Sequence, residues 1–419
     1  MENKTTVNSF TVNSGYGSTT VTAPPEALYG SSGSGLPPSS GEPEIEMTLT
    51  DVETRDLEKK IPLSYVKELS LKTGIESEKI HSISQNKISI DTILSIYRRL
   101  QFVTPRDGDF FFEFFGPGKY SYIEKPFERF LFYEKLLVSL QAEDSKKYSE
   151  MHKGTPFFFL AWTAFEMRNF EKGLFYLDAA IFDDRRANTS GEWLKRPGGQ
   201  LLALEISNHP ATGIRDKIEK SLDEQLERFN KISALTPIDR KLFLEKFVKH
   251  FLVNPLESTA ITTFYSFILE FEDRYKELKI RSTGGGSAEP FITHLFKGGL
   301  IFETILKHLY PKITVPTKRK KLGSDAETLG HLFNGTDFKN DFVPQVKTRA
   351  TNLKIIYDEV KKDDMRTAFD TTSRLRNATG HNLIWQDVEN VLGDPEKYRT
   401  LFEQEINSIF FIIEKKFIR

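Results

Sequence analysis

Near the C-terminal end, Arg376, Asn377 and His381 stand within Ser373-Arg374-Leu375-Arg376-Asn377-Ala378-Thr379-Gly380-His381. Histidine titrates near neutrality and serves as a base or an acid. The arginine guanidinium presents a planar fork that matches phosphate oxygens, and Asn377 can orient the phosphate or the imidazole by hydrogen bonding. Such a set suits proton transfer beside a phosphate. One histidine and one arginine are nevertheless too few for a complete acid–base site. Positions five apart lie about 140° apart around an ideal helix, so Arg376 and His381 reach one mouth only if the helix breaks or tightens at Thr379-Gly380. Arg374 also precedes His381, at a wider spacing, but it is followed by Leu375 rather than a polar residue. A purely structural role for the same residues is a cap made by His381 and an ion pair of Arg376 with Asp370 or Asp387.

Other chemistries are excluded or weakened by composition. The chain has no cysteine, which removes disulfides, thiolate zinc sites and cysteine nucleophiles and fits a reducing, cytoplasmic setting. No apolar run approaches a membrane span and the N-terminus lacks a signal-peptide core, so no membrane association is expected. No metal-ligand spacing stands out, and no metal or cofactor is expected. The net charge of −1 gives no global argument for nucleic acid. Ser282-Thr283-Gly284-Gly285-Gly286-Ser287 lacks the Gly-Lys-Ser/Thr ending of a phosphate-binding loop and reads as a flexible linker.

The elements that must position the motif are helical almost throughout, so the fold class is mainly α. Residues 1–45 are rich in Ser, Thr, Gly and Pro and are expected to be disordered. Residues 46–105 hold three short helical pieces, near Tyr65–Ile75, Glu78–Ile83 and Ile90–Leu100, whose order resembles a helix-turn-helix. Glu76 and Glu78 at the start of its second helix weaken a DNA-binding reading. Phe110-Phe111-Phe112-Glu113-Phe114-Phe115 reads as buried connector.

Residues 106–280 form a helical sensor or scaffold region. Within it, Phe157–Ala180 resembles one tetratricopeptide hairpin, with Ala161 and Gly173 allowing close helix approach and Asn169-Phe170 making the turn. Asp183-Asp184-Arg185-Arg186 reads as a solvated charged cap, and Trp193–Gly199 as a surface loop.

After the linker, residues 285–419 read as a compact helical domain. Its first long helix spans Phe291 to Lys307 and contains Gly298-Gly299-Leu300-Ile301-Phe302-Glu303. A basic loop with Lys318, Arg319, Lys320 and Lys321 follows, then helices at 324–333 and 343–363, a helix from Met365 carrying the motif, and a last helix near 395–417 with Phe402, Ile406, Ile409, Phe410 and Ile413 facing inward. The Arg-x4-His motif with its polar second residue, the Gly-Gly-Leu-x-Phe-Glu helix and the motif's place before the last helix together resemble the HEPN superfamily. The whole chain then reads as a HEPN-like bundle preceded by a tetratricopeptide-like helical region and a disordered tail.

The resemblance implies a metal-independent endoribonuclease. Arg376, Asn377 and His381 would be catalytic, and Lys318, Arg319, Lys320, Lys321 and Arg374 would contact the RNA. It also implies a homodimer, because two motifs facing each other across a two-fold axis supply the second acid–base group. A protein or ligand trigger sensed by residues 106–280 fits the layout of toxin or anti-phage defence effectors. The alternative is a non-catalytic HEPN-like scaffold that dimerises through its helices and binds DNA or a partner through residues 62–101.

Overall fold

The computed structural model describes residues 9–14, 17–22, 71 and 90–99, and from 125 to 419 all but 188–190, 208, 210, 234–236, 254–256, 282–287, 311–331, 334–335, 343–345, 350–351, 363 and 380–390. The chain divides into two compact units, Met1–Glu46 and Met47–Arg419.

In the first unit, β1 (Ser9–Ser14) pairs antiparallel with β2 (Gly17–Thr22), in register from Ser9 opposite Thr22 to Ser14 opposite Gly17. This hairpin lies inside the stretch expected to be disordered. That expectation weighed the scarcity of large apolar residues. The β-branched Thr11, Val12, Thr19, Thr20 and Val21 suit the two strands formed at these positions.

The second unit is mainly helical. The helix-turn-helix-like pieces at 65–85 lie outside the described residues, Leu71 excepted, and so does the run Phe110–Phe115. α1 (Ile90–Arg99) is amphipathic and buries Ile93, Ile96 and Tyr97 completely. It docks on the junction of α2 (Pro126–Glu143) and α3 (Ser145–Glu150). There the Tyr97 hydroxyl donates to the Asp144 carbonyl at 3.0 Å, and Arg98 forks onto Glu143 at 2.7 and 2.8 Å.

α4 (Gly154–Glu166) and α5 (Phe170–Ala187) form a helical hairpin. The turn between them places Arg168 at φ 58°, and the Asn169 side chain caps α5 by accepting from the Lys172 amide at 3.1 Å. A Cβ on Gly173 would lie 2.7 Å from the Phe165 ring, so only glycine allows this approach. The expected close approach is seen at Gly173, and Asn169 lies at the turn, whereas Phe170 already begins α5.

Two readings nearby need correction. Asp183 and Asp184 are not a solvated cap; they are 5% and 6% exposed. Asp184 meets His152 at 2.9 Å, and Asp183 accepts from the Lys153 amide and lies 3.0 Å from Arg186. A buried carboxylate is tolerated only with such partners, and two of them, His152 and Lys153, lie some thirty positions away in sequence. Trp193–Gly199 lies at the surface over residues 194–197, as expected, but it is not an irregular loop. A 3-10 turn (Glu192–Lys195) and α6 (Pro197–Leu202) fold Trp193 into the core, with the Arg185 guanidinium 4.0 Å over its ring.

Beyond α7 (Thr212–Ile232), the chain runs through α8 (Arg240–Phe243), a π-turn (Leu244–Val248) and α9 (Lys249–Leu252) into α10 (Ser258–Arg281). Together with the C-terminal helices they enclose an aromatic core in which Phe229, Phe243, Phe247, Phe251, Phe264 and Phe267 are fully buried. The C-terminal helices are α11 (Glu289–Leu309), α12 (Thr336–Asp341), α13 (Leu353–Asp358), α14 (Met365–Thr379) and α15 (Pro395–Ile413), which ends in a π-turn (Glu414–Ile418).

The linker at 282–287 does not separate two cores. Phe410 of α15 packs against Phe229, Phe243 and Phe264 at ring distances of 5.5 to 6.0 Å, and Phe402 of α15 stacks on Phe271 of α10 at 3.8 Å. The helix expected over 343–363 is also shorter. Residues 346–349 are non-helical, and the Asn352 side chain starts α13 by accepting from the Lys354 amide at 2.7 Å. Among the described residues no helix is long and apolar enough to cross a membrane.

Candidate functional site

α14 carries the motif. Asp364 caps its start, accepting from the Arg366 amide and the Thr367 hydroxyl, both at 3.0 Å. Ala368, Phe369, Thr372, Leu375 and Ala378 face inward and anchor the helix between α11 and α15. Arg374 and Arg376 are two positions apart, about 200° around the axis, so they point to opposite sides.

Arg376 faces α11. A Cβ on Gly299 would sit 2.6 Å from the Arg376 Cβ and 3.0 Å from its Cα, so this glycine is what lets α14 cross α11 closely. One turn further along α11, Glu303 accepts from Arg376 Nε at 2.5 Å and pairs through its other oxygen with Lys307 at 2.7 Å. The Glu303 side chain is 7% exposed and that of Arg376 28%. Arg376 Nη1 also donates to Asn377 Oδ1 at 3.3 Å, while the Asn377 amide nitrogen donates to the Thr348 carbonyl at 2.7 Å. Arg376 and Asn377 are thus brought together and held from both sides. Arg376 pairs with Glu303 rather than with Asp370, whose carboxylate accepts from the Lys347 amide at 2.6 Å.

Arg374 is placed differently from expectation. It is 4% exposed, with Nη1 2.7 Å from Glu359, and Lys347 reaches the same Glu359 oxygen at 2.9 Å. These two donors hold the Glu359 carboxyl below its ordinary range. A guanidinium buried in such a pair is not presented to a polynucleotide, and Arg374 is corrected from an RNA contact to a bundle ion pair. α14 runs to Thr379, whose hydroxyl folds back onto the Leu375 carbonyl at 2.6 Å. His381, Lys318, Arg319, Lys320, Lys321 and Asp387 lie outside the described residues.

Behind Arg376 the contact between α11, α14 and α15 is unusually polar. Glu405 is fully buried, neither of its oxygens has a hydrogen-bond partner, and burial pushes its carboxyl well above the usual range. It fills the space left by Gly298, where a Cβ would lie 2.4 Å from Glu405 Oε2. Thr372 and Ser408 hydroxyls meet at 2.9 Å. In the same layer His294 sits 2.8 Å from the Phe267 carbonyl through Nε2 and 2.7 Å from the Tyr398 hydroxyl through Nδ1. A carbonyl can only accept, so Nε2 carries the proton and Tyr398 donates to Nδ1. Burial pushes the His294 pKa down to about 4, keeping the ring neutral.

Glu303, Glu405 and His294 were not singled out from the sequence. Only Glu303 carried a local signal, since it ends the Gly-Gly-Leu-x-Phe-Glu stretch and precedes Lys307 by one turn. A cleft of about 660 Å³ elsewhere, lined by Leu204, Asp223, Asp239, Arg240 and Lys241 among others, contains none of the motif residues.

Among the described residues no group of three or more His, Asp or Glu side chains could hold a metal ion. No family model matches the chain, and neither a curated protein nor a solved structure does.

Proposed function

We propose that the chain is a HEPN-type endoribonuclease whose site is a half-site completed by a second copy. Arg376 binds and stabilises the phosphate that gains charge in the transition state, and Asn377 orients it. His381 of one protomer takes the 2′-OH proton as the 2′-oxygen attacks phosphorus. The P–O5′ bond breaks, and the leaving oxygen receives a proton from the histidine of the other protomer. The products are a 2′,3′-cyclic phosphate and a 5′-hydroxyl. The observation that carries this reading is the immobilised Arg376–Asn377 pair at the C-terminal end of α14, supported by Glu303 and the Thr348 carbonyl. Fixed donors cost little reorganisation when charge develops. With the helical region upstream as a trigger-sensing element, the chain would act as a toxin or defence effector.

The test is cleavage of labelled RNA by the full chain in EDTA. Wild type is expected to cut, and His381→Ala and Arg376→Ala to lose at least about 100-fold, the usual span of a general acid–base or oxyanion contribution. Because Arg376→Ala also leaves Glu303 without its partner, Arg376→Lys serves as the folded control, expected to retain the ion pair but not the fork. Equal cutting by His381→Ala and wild type would overturn the proposal.

The Arg376–Glu303 pair also favours a second reading. An arginine neutralised by a buried carboxylate is what a non-catalytic helical scaffold would need to close α14 on α11. In that case no RNA turnover occurs, while Arg376→Ala lowers the melting temperature.

A further inference from the structure

The aromatic core ends at the surface in a pair of histidines outside the candidate nuclease site. His250 belongs to α9 and His308 to the last turn of α11. Their Nε2 atoms face each other at 2.8 Å, with the rings nearly perpendicular at 82°. On its other side, His308 Nδ1 lies 3.3 Å from the Glu257 carboxylate. The rings rest on an apolar floor: His308 on Phe251 at 4.9 Å, and His250 on Phe417 at 5.2 Å.

We propose that His250 and His308 form an open two-nitrogen site for a divalent transition ion of the zinc class, with Glu257 orienting His308. A carboxylate beside Nδ1 favours the tautomer with the proton on Nδ1, which leaves a lone pair on Nε2. This imidazole–carboxylate arrangement is the usual second shell of a metal-bound histidine. The Nε2 atom of His250 faces that of His308 head-on. With Zn–N bonds of about 2.05 Å and a near-tetrahedral angle, the two nitrogens would stand about 3.3 Å apart, so the rings must part by about 0.5 Å and tilt off the line on which their nitrogens face each other. His250 is exposed and can move that far while the phenylalanine floor keeps both rings in place.

The remaining coordination positions belong to water or an added ligand, which fits the absence of a third protein donor among the described residues. Most of the lysines nearby are occupied by carboxylates. Lys307 pairs with Glu303 at 2.7 Å, Lys416 with Asp341, and Lys246 lies 4.0 Å from Glu245. Lys249 adds an exposed charge next to His250 in the chain.

The test is calorimetric titration of EDTA-stripped, dialysed full-length protein with zinc chloride. Expected is one ion bound per chain, no heat from magnesium, and loss of the site in both His250→Ala and His308→Ala. Glu257→Gln is expected to weaken binding about 10- to 100-fold, as second-shell changes do. His381→Ala serves as a control expected to bind like wild type. Circular dichroism checks that each variant is folded, and exposed His250 should be replaceable without loss of structure. No zinc uptake by wild type, or equal uptake by a folded His250→Ala/His308→Ala double variant, would overturn the proposal. A simple imidazole–imidazole hydrogen bond is what either result would leave. The readout is independent of RNA cleavage, which should persist in the same stripped protein.

Discussion

α15 is packed in two contrasting ways. One side meets the aromatic core, where Phe410 touches Phe229, Phe243 and Phe264 and every ring is fully buried. The other meets α11 and α14 through Glu405, Ser408 and Thr372, backed by His294 and Tyr398. The aromatic side can supply stability without regard to exact partners, because dispersion and apolar burial are not directional. The polar side supplies little net stability, since each group must recover in the fold what it lost in water. What it does specify is one crossing of α14 over α11, and hence one position for Arg376. An orienting layer behind a candidate phosphate-binding arginine is the kind of preorganisation a catalytic half-site needs.

The contrast can be broken at several points. Phe264→Ala in the aromatic core is expected to cost about 3–5 kcal/mol, read from denaturant midpoints at constant slope. A loss no larger than that of any seam variant would remove the basis for the comparison.

The next effect is in the pH dependence. His294 is held neutral with a pKa of about 4, whereas an unfolded histidine titrates near 6.5. Between those values the unfolded chain takes up a proton that the fold refuses. Stability therefore falls as pH drops from about 6.5 to 4, by roughly 3 kcal/mol in all. Melting curves over that range should show the slope, and a folded His294→Gln variant should lack it.

Gly299→Ala follows, at about 1–3 kcal/mol from overpacking against Arg376. If Arg376 is positioned by this crossing, RNA cleavage should fall by more than the fraction unfolded. A proportional fall would mean that the seam is only structural.

Glu405→Gln should have the opposite pH sign to His294. The buried carboxyl is neutral in the fold, so the unfolded chain gains by ionising as pH rises above about 4.5. The variant should flatten that decline and be at least as stable as wild type near neutrality. A marked destabilisation at pH 7 would show that the carboxyl is ionised or has a partner essential to the fold.

Much of the helical content was legible in the chain. The period of the apolar residues placed α11 and α15 close to their observed limits, because each buries a continuous stripe that repeats with the helical turn. Asn169 and Gly173 marked the hairpin of α4 and α5 for equally local reasons. Chemistry-bearing residue types at a short spacing singled out Arg376 and Asn377.

Long-range partnerships were not legible. Glu303 lies 73 positions from Arg376, and His152 lies 32 from Asp184. Nothing in a sequence read locally says which carboxylate a buried cation will find. Arg374 looked as open to RNA as Arg376, yet the 200° between them on one helix turns it to Glu359. The glycine-rich stretch at 282–287 looked like a boundary between cores. Only the packing of Phe402 and Phe410 onto helices from the other side of it makes the two one. Sequence determined which segments are helices and which residues could do chemistry, because both depend on neighbours within a turn or two. Tertiary structure decided which of those residues face one another, because burial forces each charge to a partner that only the completed fold brings near.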